Sequence, residues 1–168
     1  MQVDLPAQFE RALRVIHEQL ADLGSPWGIT GSLGMRLQGM PLEVHDIDLQ
    51  TDRPGAYAIQ ARLAASAQGS ILLPVEFRVT ESVRSHFGRL EIAGVTVEVM
   101  GDISTRLAGE EWGAPPDLTG NLRWVTYHGL DLPVLDLAYE YHAYMRLGRA
   151  QRSAEIQRFL EQRSADPD

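Results

Sequence analysis

From Val44 to Thr51 the chain alternates. Val44, Asp46, Asp48 and Gln50 fall on one face, Ile47 and Leu49 on the other. Side chains on a β-strand point alternately to opposite faces, so the run predicts a strand with an acidic face. Its two carboxylates project the same way and repel each other. A bound cation is a common reason for a protein to tolerate that pair, and hard oxygen ligands suit Mg²⁺, which readily shares its shell with substrate phosphates.

The neighbouring sequence supplies a partner for such a site. Trp27 to Thr30 is a short β-leaning run that leads straight into Gly31-Ser32, and residues 33–39 have helical character ended by Gly39. Backbone N–H groups at a strand-to-helix turn lack partners and suit an anion. Glycine admits a phosphate without a Cβ in the way, and Ser32 adds a hydroxyl donor. Two-metal phosphoryl chemistry often needs a further carboxylate from another strand. Glu98, between Val97 and Val99, is the first candidate, and Glu91, in another β run, is its rival.

Elsewhere, apolar residues at Phe9, Leu13, Ile16, Leu20 and Leu23 recur at steps of three and four, which predicts a helix over 6–23 ended by Gly24. A second helix is expected over 54–67. Strands are expected over 71–80, 86–93 and 95–100, the last two joined as a hairpin at Ala93-Gly94. Residues 102–121 read as a loop with a short helical turn, 124–130 as a last strand, and 135–162 as a helical region broken at Gly148. The expected class is α+β: a mixed sheet flanked by helices with a C-terminal helical tail. The expected division is a catalytic domain over 1–130, with 131–168 a helical segment packed on it. Trp112 and Trp124 are expected in the core.

Composition narrows the chemistry. There are no cysteines, which excludes disulfides, thiolate nucleophiles and Cys-ligated zinc. Fifteen Lys and Arg against 23 Asp and Glu give a net charge of -8, which disfavours non-specific nucleic-acid binding. Charged residues interrupt the first twenty positions, and no apolar run reaches membrane-spanning length. A cytoplasmic protein without a membrane partner is the expectation. A chain of this size can complete its cleft with a second copy, so a homodimer is an expected option.

The segment from Trp27 to Leu49 resembles the signature of the DNA polymerase beta-like nucleotidyltransferase superfamily. That signature is an apolar residue, Gly, then Gly or Ser, a spacer, and Asp-apolar-Asp; here the spacer runs from Leu33 to His45. The finer pattern is similar to the small bacterial lincosamide and aminoglycoside nucleotidyltransferases, with Trp27 before the glycine and His45 before the first Asp. Gly31-Ser32 stands where many antibiotic-modifying members have Gly-Gly.

The resemblance implies an enzyme that moves a nucleoside monophosphate, AMP from ATP, to a hydroxyl of a small molecule with release of pyrophosphate. It implies that Asp46, Asp48 and Glu98 hold one or two Mg²⁺, with Glu98 as ligand or general base. Gly31 and Ser32 would hold the β- and γ-phosphates, and Arg36 and Arg149 would meet the nucleotide and its leaving charge. A protein-modifying, antitoxin-like enzyme and a degenerate nucleotide-binding module are the alternatives.

Overall fold

The computed structural model describes residues 3–166. Helix α1 (Ala7–Leu20) follows Pro6 and buries Phe9, Leu13, Ile16 and Leu20, as its spacing requires. Strand β1 (Trp27–Thr30) runs directly into helix α2 (Gly31–Leu37). Strand β2 (Ile47–Thr51) leads through Asp52 to helix α3 (Arg53–Ala65), where the Asp52 carboxylate caps the helix by accepting from the Gly55 N–H at 2.8 Å.

Three long strands follow: β3 (Gly69–Val79), β4 (Val83–Ile92) and β5 (Val95–Thr105). A 3-10 turn at Thr119–Asn121 precedes a hairpin of β6 (Leu122–Tyr127) and β7 (Leu130–Leu135). Helices α4 (Leu137–Arg146) and α5 (Ala150–Ala165) complete the order.

The strands form one seven-stranded mixed sheet in the order β3-β4-β5-β2-β1-β7-β6. Strand β2 is parallel to β5 and antiparallel to β1, and β1 is parallel to β7. Ile47, Leu49, Val97 and Val99 point to one face of the sheet, into a core that includes Leu13 and Ile16 of α1 and Ile59 and Leu63 of α3. Helix α3 sits close on β5 at Gly101, where a Cβ would lie 2.7 Å from both the Ala56 Cβ and the Asp52 carbonyl oxygen. Asp48, Gln50, Glu98 and Met100, the alternate residues of β2 and β5, line the opposite face.

Several expectations shift. Strand β2 starts at Ile47 rather than Val44, so Asp46 stands just before the strand. Strand β5 continues to Thr105, and the loop expected over 102–121 shrinks accordingly. The single strand expected over 124–130 is two strands, turned at His128-Gly129 with φ of 46° and 79°. That is a two-residue hairpin of primed type, here without the Asn-Gly or Asp-Gly pair that announces one. Pro133 hides β7 in the sequence, since proline donates no ladder hydrogen bond; a single residue pair, Ile29 with Val134, registers β7 on β1.

The boundary expected at 130/131 falls at the first residue of β7, whose Leu132 and Val134 are buried in the main core. The helices break at Gly148, as the sequence predicts. Trp124 is 67% exposed rather than buried, because it lies on the edge strand β6.

Candidate active site

The site grows out of strand register. Strands β2 and β5 are parallel neighbours, and Asp48 lies directly beside Glu98. Asp46, just outside the strand, reaches the same spot. Each of the three acids offers one carboxylate oxygen, and these oxygens lie within 4.8 Å of one another. Glu91 pairs with Thr96 at the far end of the β4–β5 hairpin and is exposed, so register selects Glu98 over its rival. Arg89, opposite Glu98 on β4, donates through Nη2 and Nε to Glu98 Oε1 at 3.0 and 3.2 Å. That pair fixes the carboxylate.

Burial pushes the Asp48 carboxyl up to about 8, and the charges of Asp46, Glu98 and Glu140 add to the shift. A cluster this crowded with carboxylates is relieved either by protonation or by a cation.

Gly31 is the hinge between β1 and α2. Its φ is +69°, and a Cβ there would lie 2.5 Å from Asp48 Oδ2. Only glycine serves both demands, a left-handed backbone and a carboxylate against the main chain. Its N–H is not free, however. It donates to Glu140 Oε1 at 3.1 Å, and the Thr30 hydroxyl donates to the same oxygen at 2.5 Å. The turn that was expected to offer an open amide at Gly31 is thus closed by an acid from α4. Glu140 is 2% exposed, and burial raises its carboxyl to about 7 against the two hydrogen bonds that lower it. One residue earlier, the Tyr139 hydroxyl accepts from Gln50 Nε2 at 2.7 Å.

These groups surround a cleft of about 510 Å³. Asp48, Glu98 and Glu140 line it, Met100 and Ile103 give it an apolar wall, and Arg146 and Arg149 stand at its α4–α5 side. A second hollow of about 370 Å³ shares Tyr144 and Arg149 with the cleft and adds Ser32, Gln151 and Arg152. Ser32 and Arg149 are therefore brought together beside the acids. Arg36 is not. Its guanidinium donates to the carbonyls of Leu42 at 3.1 Å and Asp4 at 3.2 Å, in a separate groove that it shares with His45. His45 itself is exposed, near Glu43. The guanidiniums of Arg84 and Arg106 lie over the Trp112 ring, 4.9 and 4.3 Å from its centroid.

Glu140 escaped the sequence reading. A signal existed: Leu137, Glu140, Tyr141 and Tyr144 share one stripe of α4 at steps of three, one and three, so an acid sits on an otherwise apolar face.

Residues 12–159 match the model of the family described as aminoglycoside-2''-adenylyltransferase. The chain belongs to that family. By family it is a nucleotidyltransferase. No curated protein matches this adenylyltransferase-family sequence significantly. Among solved structures, a Thermotoga maritima protein assigned to the nucleotidyltransferases is 42% identical, with a TM-score of 0.80 over 95% of this chain and 97% of that one. The antibiotic-resistance factor ANT(2'')-Ia is 12% identical, with a TM-score of 0.62 over 93% of this chain and 86% of that one. The lincosamide antibiotic adenylyltransferase LnuA, in its lincomycin-bound structure, is 13% identical, with a TM-score of 0.55 over 88% of this chain and 96% of that one. The last two likenesses are likenesses of fold. No helix among the described residues is long and apolar enough to cross a membrane.

Proposed function

We propose that this protein is a Mg²⁺-dependent adenylyltransferase that moves AMP from ATP to a hydroxyl of a small molecule, with release of pyrophosphate. The observation that carries the reading is the cluster of Asp46, Asp48 and Glu98 oxygens within 4.8 Å of one another, two of whose members, Asp48 and Glu98, line a cleft with Arg146 and Arg149. The donor set fits the metal. It is all carboxylate, as a hard cation prefers, and the charges of Asp46, Glu98 and Glu140 add to the burial that raises the Asp48 carboxyl.

When bound, the ion would neutralise phosphate charge and polarise the α-phosphoryl group. The chain's own residues do the rest. Asp46, Asp48 and Glu98 hold the ion, and Arg89 keeps Glu98 oriented. Ser32 and Arg149, which line a common hollow, would hold the phosphates beyond the α-phosphorus, and Arg149 would supply the charge that a leaving pyrophosphate requires. In the transfer, the acceptor oxygen would bond to the α-phosphorus and give its proton to a carboxylate of the cluster. The bond between that phosphorus and the bridging oxygen breaks, and pyrophosphate departs.

An antibiotic-like hydroxyl compound is the acceptor class favoured by kinship. ANT(2'')-Ia has been solved with adenylyl-2''-tobramycin, and LnuA with lincomycin. A cytoplasmic site of action, where ATP is at hand, goes with this reading. A degenerate binding module is disfavoured because the full acid set is in place.

Isothermal titration of ATP into the protein, with and without Mg²⁺, tests the reading. The wild type is expected to bind ATP only with the metal. Asp48→Asn, which removes a charge and keeps the shape, is expected to abolish that dependence. Equal binding by the variant would mean the site lies elsewhere.

A further inference from the structure

We propose that Glu140 is a positioning residue that locks the Thr30-Gly31 turn against the acid cluster, so that α4 governs how the site receives a nucleotide. The role rests on the reading given under Proposed function.

The geometry is specific. One carboxylate oxygen, Oε1, accepts from both the Thr30 hydroxyl at 2.5 Å and the Gly31 N–H at 3.1 Å. Thr30 is the last residue of β1 and lies opposite Asp48 in the antiparallel register. Gly31 is the residue against which Asp48 Oδ2 rests. A single oxygen atom thus holds the two backbone positions that border the central carboxylate. The Thr30 side chain makes no cap to α2, so the hydroxyl serves Glu140 alone.

Glu140 is 2% exposed, and a buried carboxylate with no job would be replaced at a gain. Its neighbour Tyr139 ties the same turn of α4 to Gln50, on the same face of β2 as Asp48. The two residues bolt α4 to β1 and β2 at adjacent points. Further along α4 and just beyond it are Tyr144, Arg146 and Arg149, all lining the cleft. The bolt therefore sets the distance between the acid cluster and the arginines that face it. Glu140 itself is not placed on a reacting atom; it acts through Gly31 and Asp48.

The test uses the full-length protein and two readouts. Amide hydrogen exchange of Gly31 and Ser32 is followed without ligand, and the dissociation constant for ATP with Mg²⁺ is measured by titration. Glu140→Ala should speed exchange at Gly31 and weaken MgATP binding by roughly tenfold or more, the scale of a lost buried hydrogen-bonding group. Glu140→Gln keeps an oxygen that accepts from both donors, and should restore both readouts to within roughly threefold of wild type. Thr30→Val removes one hydroxyl without changing shape and should fall between them, while Thr30→Ser should behave as wild type. Thr30→Val also keeps the test decisive if Glu140→Ala does not fold.

A Glu140→Ala protein that melts lower but binds MgATP as the wild type does would reduce Glu140 to a structural residue and overturn the proposal. So would a Glu140→Gln as damaged as Glu140→Ala, since charge and not the shared acceptor would then be at work. If the wild type binds no MgATP, the functional reading fails and this role falls with it. If Asp48→Asn behaves as expected while Thr30→Val and Glu140→Ala bind normally, only the positioning role fails.

Discussion

At position 31 two constraints meet that no other residue satisfies. The backbone is left-handed, and a Cβ would press on Asp48 Oδ2 at 2.5 Å. Replacing glycine by alanine in a left-handed conformation costs roughly 1–2 kcal/mol from the backbone alone, and the collision with Asp48 adds to it. Gly31→Ala should therefore lower the unfolding free energy by at least that amount and displace Asp48 from Glu98. The checks are a denaturation curve and a Mg²⁺ titration. A variant as stable as wild type, with undiminished metal affinity, would show that the turn has more room than its geometry gives.

Among elements, α5 depends on a small cluster of its own. Ile156 is fully buried with Met35, Met40 and Leu137, apart from the main core. The helix has no side-chain cap at its start, so packing must hold it. Ile156→Ala is expected to cost about 2–5 kcal/mol in stability by opening a cavity there. Because Arg149 and Arg152 sit at the α5 start beside Ser32, the same change should weaken ATP binding although it lies outside the cleft. Loss of stability with unchanged ATP affinity would separate the helix from the site. The strand pair β2–β5 behaves differently, since parallel register alone places Asp48 beside Glu98.

For the whole molecule, the acid cluster sets a pH dependence. The folded carboxyls of Asp48 and Glu140 are raised to about 8 and about 7, whereas unfolded carboxyls titrate near about 4. Between these limits the folded state binds more protons than the unfolded one, so stability falls as pH rises, and levels off above about 8. Glu10 and Asp22, held low by arginines, work in the opposite sense, but their effect is lost only as pH falls into the acid range, and both lie at the surface. In EDTA the urea midpoint should be lower at pH 8 than at pH 5, and Asp48→Asn should flatten the slope. Mg²⁺ should restore stability at pH 8, since a ligand that binds only the folded state stabilises it. A metal-free protein more stable at pH 8 than at pH 5 would contradict this account.

How much of this was legible without coordinates follows from the range of each interaction. Period-two alternation marked Asp46 and Asp48 as same-facing, period-3.6 spacing marked α1, and the glycine between strand and helix marked the turn; all are local, and a string of residues carries them. The choice of Glu98 over Glu91, the diversion of Arg36 to the carbonyls of Asp4 and Leu42, and the exposure of Trp124 on an edge strand depend on which segments lie side by side. Glu140 reaches Gly31 across 109 positions of chain. No periodicity links residues so far apart; sheet order and the docking of α4 bring them together, and so only the tertiary structure closes the site.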